Sequence, residues 1–321
     1  MVGLGALRRF VPVLLLAPVI CACQAESAAP VRTDLVIGTV FPNGSWDLVG
    51  RALAQAYTER LSDVRAVAST SGDLEFQADA VEQGRAQLAI EDVETVYVAY
   101  STGTTSLPQP HRNLRAIAVL FSTAVQIVAR RDAGITRIQD LRGKRVGIGA
   151  TGSPTVRAAA LILQSHGVPL QQIQPVMKAG DAAAFRSGEL DAAFIYAPFQ
   201  NPVVAELTGS DDVRLIPIER RTLGAIQDEH HFLKSTTIPG GTYKNQDDDV
   251  LTVGMDVLLV CRQDLPDDLV YRLSRTLFEV VPALREAHAS AAGINPDRGP
   301  TTAIPLHAGA ARYYREREIL R

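Results

Sequence analysis

Cysteine is nearly absent. Two of the three cysteines, Cys21 and Cys23, sit at the extreme N-terminal end, and the third is Cys261. A single thiol beyond that end makes no intramolecular disulfide, so a disulfide-framed fold is excluded. Cys261 closes the apolar run Val257 to Val260 and reads as a buried small hydrophobe. Aromatic residues make up 6% of the chain, with one tryptophan, Trp46. Neither sign of charge dominates: the formal net charge is −3, which gives no reason to expect nucleic acid. No apolar run reaches the roughly 20 residues of a membrane-crossing helix, so none is expected in the mature chain. G-x-S-x-G, H-E-x-x-H and C-x-x-C are missing, which removes the local signatures of a hydrolase elbow, a zinc protease and a dithiol site. No metal or cofactor is expected.

What is present describes a globular α/β chain. Apolar residues are 46% and charged residues 21%, enough for a large core. Residues 1–23 read as an export signal, with Arg8 and Arg9 before the apolar run Phe10 to Ile20. Ile20-Cys21-Ala22-Cys23 is similar to a bacterial lipobox with Cys23 as the lipidated residue; bulky Ile20 makes Cys21 the poorer candidate. Residues 24–33, rich in Ala, Ser and Pro, read as a tether.

The organising stretch is Leu141 to Leu163, LRGKRVGIGATGSPTVRAAALIL. It reads as a strand, a loop of small and hydroxyl residues from Ala150 to Thr155, and a helix capped by Ser153 with Pro154 in its first turn. Such a junction aims free N–H groups and the positive end of a helix dipole into the loop, which suits an anion. Gly147, Gly149 and Gly152 fit G-x-G-x-x-G, but the next strand ends in Met177 and Lys178 where a dinucleotide site needs an acid. Ser153 after Gly152 rules out a P-loop, which needs lysine there. A small anion held by backbone and hydroxyls remains, beside a plain turn with no ligand.

The chain repeats this grammar. LVIGTVFPNGSWDLVGRAL, Leu35 to Leu53, is again strand, polar turn and helix, with Ser45 as the expected cap. VEQGRAQLAI, Val81 to Ile90, echoes FRSGELDAAFI, Phe185 to Ile195. Two tandem α/β units, each offering a helix N-terminus, predict two lobes facing across a cleft. Separate strands are expected over 115–121 and 124–129, and one helix over 266–288. Asp228-Glu229-His230-His231 reads as a solvated helical face, since adjacent histidines on a helix point about 100° apart. Asp247-Asp248-Asp249 reads as a solvated turn.

Taken together, IGTVFPNGSWDLVGRALA, the Ser69 to Gly72 loop, LRGKRVGIGATGSPT, SGELDAAF, IPGGTY (Ile238 to Tyr243), VLLVCRQDLPDDLVYRLSRTLF and IPLHAGAARYYRE resemble the TAXI-type solute receptors of tripartite ATP-independent periplasmic (TRAP) transporters. The resemblance implies a two-lobed periplasmic binding protein-like fold of type II. Lobe one would be 34–131 with 250–321, and lobe two 132–249. It implies a receptor, not an enzyme, that captures a small carboxylate or amino acid, such as glutamate or 2-oxoglutarate, for a membrane permease; the alternatives are a sensory receptor of the same fold signalling to a membrane partner and, on the G-x-G-x-x-G, a nucleotide-dependent enzyme. Ser45, Ser71, Ser153 and Thr155 would hold anionic groups, within loops formed by Asn43, Gly44, Ser69, Thr70, Thr151 and Gly152. Trp46 or Phe199 would cover the aliphatic part. The chain departs from the family at Asp92, Val93 and Glu94, where Gln-Ser-Asp is usual, and Asp92, in place of the glutamine, would take a cationic group.

Overall fold

The computed structural model describes residues 32–71, 73–151, 153–178, 180–210 and 212–320. The expected signal, all of the tether but its last two residues, the lipid site at Cys23, and Gly152 lie outside the described residues. The first half of the fold runs β1 (Thr33–Val40), α1 (Ser45–Arg60), β2 (Val64–Ser71), α2 (Leu74–Glu82), β3 (Leu88–Asp92), α3 (Val93–Thr102) and β4 (Leu114–Arg130). The second runs β5 (Arg145–Gly147), α4 (Pro154–Ser165), β6 (Gln174–Val176), α5 (Ala182–Arg186), β7 (Ala192–Ala197), α6 (Pro202–Gly209), β8 (Val213–Leu215), α7 (Arg220–Glu229) and β9 (Lys234–Ile238). Then β10 (Val250–Arg262), α8 (Asp267–Glu279), α9 (Val281–Ala287) and α10 (Ala308–Glu316) return to the first half.

The strands form one sheet, in the order β2-β1-β3-β10-β4-β7-β5-β6, with β8 beside β4 and β9 beside β10. The repeat read in the sequence is a repeat in space. β1 lies parallel between β2 and β3, and β5 lies parallel between β6 and β7. In each unit the central strand feeds the helix that follows it. α1 buries Val49, Leu53 and Tyr57 in the same core as Leu35 and Ile37. α4 buries Ala159, Ile162 and Leu163 in the core that holds Val146 and Ile148. Each large aliphatic side chain so removed from water stabilises the fold by about 1.5–3 kcal/mol.

β4 and β10 join the halves. Both are buried along nearly their whole length, as expected of strands covered on both faces. β4 pairs with β10 from Leu114 to Ala124 and with β7 from Ala124 to Ala129. β10 has β9 beside it at Val250 to Gly254 and β3 beside it at Val257 to Cys261. The two strands expected at 115–121 and 124–129 are therefore one. The polar pair between them does not break it, because the neighbouring strand satisfies both hydroxyls. Ser122 donates to Asp256 at 2.7 Å and Thr123 to the Met255 carbonyl at 3.1 Å. Asp256, at the crossing and 2% exposed, also holds Lys234 of β9 and, at 3.0 Å, Arg298.

Other expectations need correction. The helix expected over 266–288 is two, broken at Val280. Pro282 lacks the N–H that would bond to Phe278 and its ring clashes with that carbonyl, so the helix must restart. α7 ends at Glu229, so His230 and His231 lie beyond it rather than on a helical face. His231 is exposed, whereas His230 is half-buried. Cys261 is fully buried, and burial pushes its thiol well above the usual range. Asp247, Asp248 and Asp249 are exposed.

Candidate functional site

The two repeated strand-to-helix loops come together. Asn43, Gly44, Ser45 and Trp46 from the first half and Ser153, Pro154 and Thr155 from the second line one cavity of about 330 Å³. Tyr196, Asn201 and His288 complete its polar wall. Three helix N-termini meet there: those of α1, α4 and α6.

The three ends are not equivalent. Asn201 caps α6 by accepting from the Val203 and Val204 N–H groups at 3.0 and 3.3 Å. Neither α1 nor α4 has a side-chain cap. The expected cap Ser45 is instead the first residue of α1, and Gly44 precedes it in extended conformation. The cause is Asp47, which reaches back from the first turn to accept from the Asn43 N–H at 2.9 Å. That contact holds Phe41 and Asn43 in the left-handed region, at φ 57° and 63°, and carries the turn past the point where Ser45 could cap. Ser153 does occupy the cap position of α4, yet its hydroxyl makes no capping bond. It is buried and finds no hydrogen-bond partner among the described residues. Gly149 makes this possible: at φ 87° a side chain there would lie 2.7 Å from the Ser153 hydroxyl. Two helix N-termini from opposite halves thus line one cavity, with an unspent hydroxyl at one of them; in the first turn of α4 Pro154 has no N–H and Val156 donates to the Ser153 carbonyl at 3.1 Å, which leaves the Thr155 N–H.

The rest of the lining has no fixed charge: Tyr196, Asn201 and His288 are its polar groups, beside the apolar Phe41, Ala197, Pro202 and Val203. The Tyr196 hydroxyl is buried and unpartnered among the described residues. Burial, with Asp92 nearby, raises it above the ordinary phenol range. His288 accepts from the Ser290 N–H through Nδ1 at 3.1 Å, so its proton sits on Nε2, and burial holds the ring below its ordinary pKa and neutral at pH 7. Trp46 is buried, with its ring 5.9 Å from that of Phe41.

Six of the proposed residues are therefore in one place: Asn43, Gly44, Ser45, Trp46, Ser153 and Thr155. The other described ones are not among its lining residues. Thr70 donates to Asp47, and Ser71 is engaged with the Asp73 backbone and Gln77. Ser69 and Thr151 are exposed, and Phe199 packs on the core of the second half. Asp92 lines a second cavity of about 230 Å³ with Glu94, Arg157 and His230; Tyr196 and Pro154 belong to both cavities. Asp92 also caps α3, accepting from the Thr95 N–H at 2.7 Å, and burial raises its carboxyl above the usual range. Beside it Glu91 is fully buried, both oxygens lack partners among the described residues, and burial next to Asp92 pushes its carboxyl well up.

Sequence reading missed Glu91, Arg157, Tyr196, Asn201, His230 and His288. Only Glu91 carried a signal, as an acid at the end of the apolar strand Leu88 to Ile90.

Two α/β units of matching topology, joined by paired crossing strands over a cleft lined from both sides, define the type II periplasmic binding-protein architecture. The chain belongs to the NMT1-like family, whose model matches residues 37–317. Among solved structures it is similar to a TctC solute binding protein from Polaromonas, at 18% identity and TM-score 0.54, over 89% of this chain and 95% of that one. It is similar also to XAC2383 from Xanthomonas citri, solved bound to ATP, at 12% identity and TM-score 0.51, over 90% and 99% of the chains. At these identities the likeness is one of fold.

Proposed function

We propose that this protein is an extracytoplasmic receptor that closes on a small organic acid or amino acid, of the glutamate or 2-oxoglutarate kind, and delivers it to a TRAP-type permease. The observation that carries the reading is the pair of uncapped helix N-termini, α1 and α4, brought from opposite halves to one cavity. That arrangement favours a carboxylate without needing a lysine or arginine in contact with it. A volume of about 330 Å³ is at the small end of ligand pockets, which argues for a metabolite-sized solute. Ser45, Ser153 and Thr155 hold the anionic group, Trp46 covers the aliphatic part, and Asp92 receives a cationic group reaching the adjoining cavity. Lobe one takes residues 34–131 and 250–321, and lobe two 132–249, with the paired segments near Arg131 and Val250 that join them as the hinge. The likeness to the Polaromonas solute binding protein supports binding rather than catalysis.

Trp46 is the single tryptophan and lines the cavity, so its fluorescence reports on the site directly. Titration with 2-oxoglutarate and with L-glutamate is expected to give a saturable change with at least one of them. A flat response to both, with no small acid released from the denatured protein in mass spectrometry, would remove this reading.

Lipid at Cys23 tethers the receptor to a membrane in the same proposal. Cys23→Ala is expected to move the protein from the membrane to the soluble periplasmic fraction. Retention of that variant while Cys21→Ala is released would reassign the anchor. The mature anchor needs more than one acyl chain, because a single chain holds only weakly.

A further inference from the structure

The Ile238 to Tyr243 stretch stands apart from the cavity-lining loops, yet its last residue is tied to the cavity wall. Past β9 the chain doubles back so tightly that a side chain at Gly240 would lie 2.2 Å from the Asp247 carbonyl. Gln246 stiffens the loop, donating to the Pro239 carbonyl at 3.0 Å and accepting from the Tyr243 N–H at 3.2 Å. This drives Tyr243 into the second-half core beside Val204, Leu207 and Val213, where it is 5% exposed.

The tyrosine ring supplies the packing; its hydroxyl does something else. It accepts from the Asn201 N–H at 3.0 Å and donates to the side-chain oxygen of Gln126. Gln126, on β4 and fully buried, donates in turn to the carbonyls of Ala197 and Pro198 at 3.2 and 3.3 Å. Two buried side chains thus hold three backbone points of one short turn. Within that turn Gln200 adopts a left-handed conformation, φ 59°, which a non-glycine residue keeps only where its surroundings impose it. Ala197, Asn201, Pro202 and Val203 then form cavity wall.

We infer that Tyr243 and Gln126 are positioning residues for the ligand cavity, fixing the Ala197 to Asn201 turn and so the direction of the α6 N-terminus. The inference rests on the binding role proposed above. Tyr243→Phe keeps the ring and removes only the hydroxyl. Amides of residues 199–204 are expected to exchange hydrogen about tenfold faster in this variant, with α1 and α8 unchanged. Affinity for whichever of 2-oxoglutarate and L-glutamate the wild type binds, read by Trp46 fluorescence, is expected to fall about tenfold. Gln126→Leu should show the same local signature. Unchanged exchange at 199–204 overturns the inference, as does faster exchange spread evenly over the chain, which marks a purely structural role. Local loosening without loss of affinity, in a wild type that binds, overturns it too. Should the wild type bind neither acid, the proposed ligand class falls, and the exchange measurement alone decides whether these residues hold the turn.

Discussion

Asp47→Ala is expected to lower the free energy of unfolding by about 3 kcal/mol, the largest loss of any single polar change near the cavity. The carboxylate is 0% exposed and collects donors from three segments: the Thr39 hydroxyl at 3.2 Å, the Asn43 N–H at 2.9 Å and the Thr70 hydroxyl. Removing it strands the Asn43 N–H and leaves the Thr39 and Thr70 hydroxyls, 2.9 Å apart, only each other as acceptors; a buried group left without a partner costs about 1–3 kcal/mol. The ion pair with Arg51, at 3.0 Å, adds little, because the Arg51 side chain is 58% exposed. Asp47→Asn keeps an acceptor and should cost less. The pH dependence has a definite sign. Burial works to raise the Asp47 carboxyl, but bonds from Thr70, Asn43 and Arg51 outweigh it and leave the group below its ordinary value. A depressed acid stabilises the fold above the unfolded-state value near 3.9 and loses that contribution as pH falls through its folded value. The gap in urea stability between wild type and Asp47→Asn should therefore be full at pH 7 and shrink below about pH 4. A gap independent of pH would show that the charge on Asp47 contributes nothing.

Ser153→Ala should leave stability nearly unchanged and strip binding. An N-cap serine normally contributes about 1 kcal/mol through its capping bond, but Ser153 makes none. Its hydroxyl is buried beside the cavity without a partner among the described residues, so nothing in the fold is lost with it. If it donates to a bound carboxylate, that bond is worth about 1.5–3 kcal/mol, and its loss weakens binding by roughly 10- to 150-fold. Ser45→Ala tests the facing loop in the same way. Thermal melts and Trp46 titrations on both variants separate the effects. A Ser153→Ala protein that melts several degrees lower with affinity intact would return the hydroxyl to a structural role.

The pairing of these two loops was legible because the chain writes it twice. A strand, a short polar turn and a helix recur in local sequence, and the fold forms both, β1 with α1 and β5 with α4. What stayed hidden depends on partners distant in sequence. Thr70 looks like a ligand hydroxyl until Asp47, on another element, accepts its hydrogen bond. Ser122 and Thr123 look like a strand break until Asp256 and Met255 satisfy them from β10. His230 looks solvated until α7 stops one residue earlier and leaves it half-buried at the second cavity. Asn201 and His288 gave no local sign, since only the folded wall brings them beside Trp46.

The return of β10 into the first half sets the order in which the molecule can be completed. β3 lacks its antiparallel neighbour until Val257 to Cys261 have been made, after the whole second half. A chain emerging from a ribosome or a secretion channel therefore carries Leu88, Ile90 and the unpaired backbone of β3 as an open sheet edge for most of its synthesis. Such an edge invites pairing with another chain. Closing it requires contacts between residues far apart in sequence, which is slow. The same architecture that threads the second half between β4 and β10 thus leaves this edge of the nascent protein unpaired until residue 261 is in place.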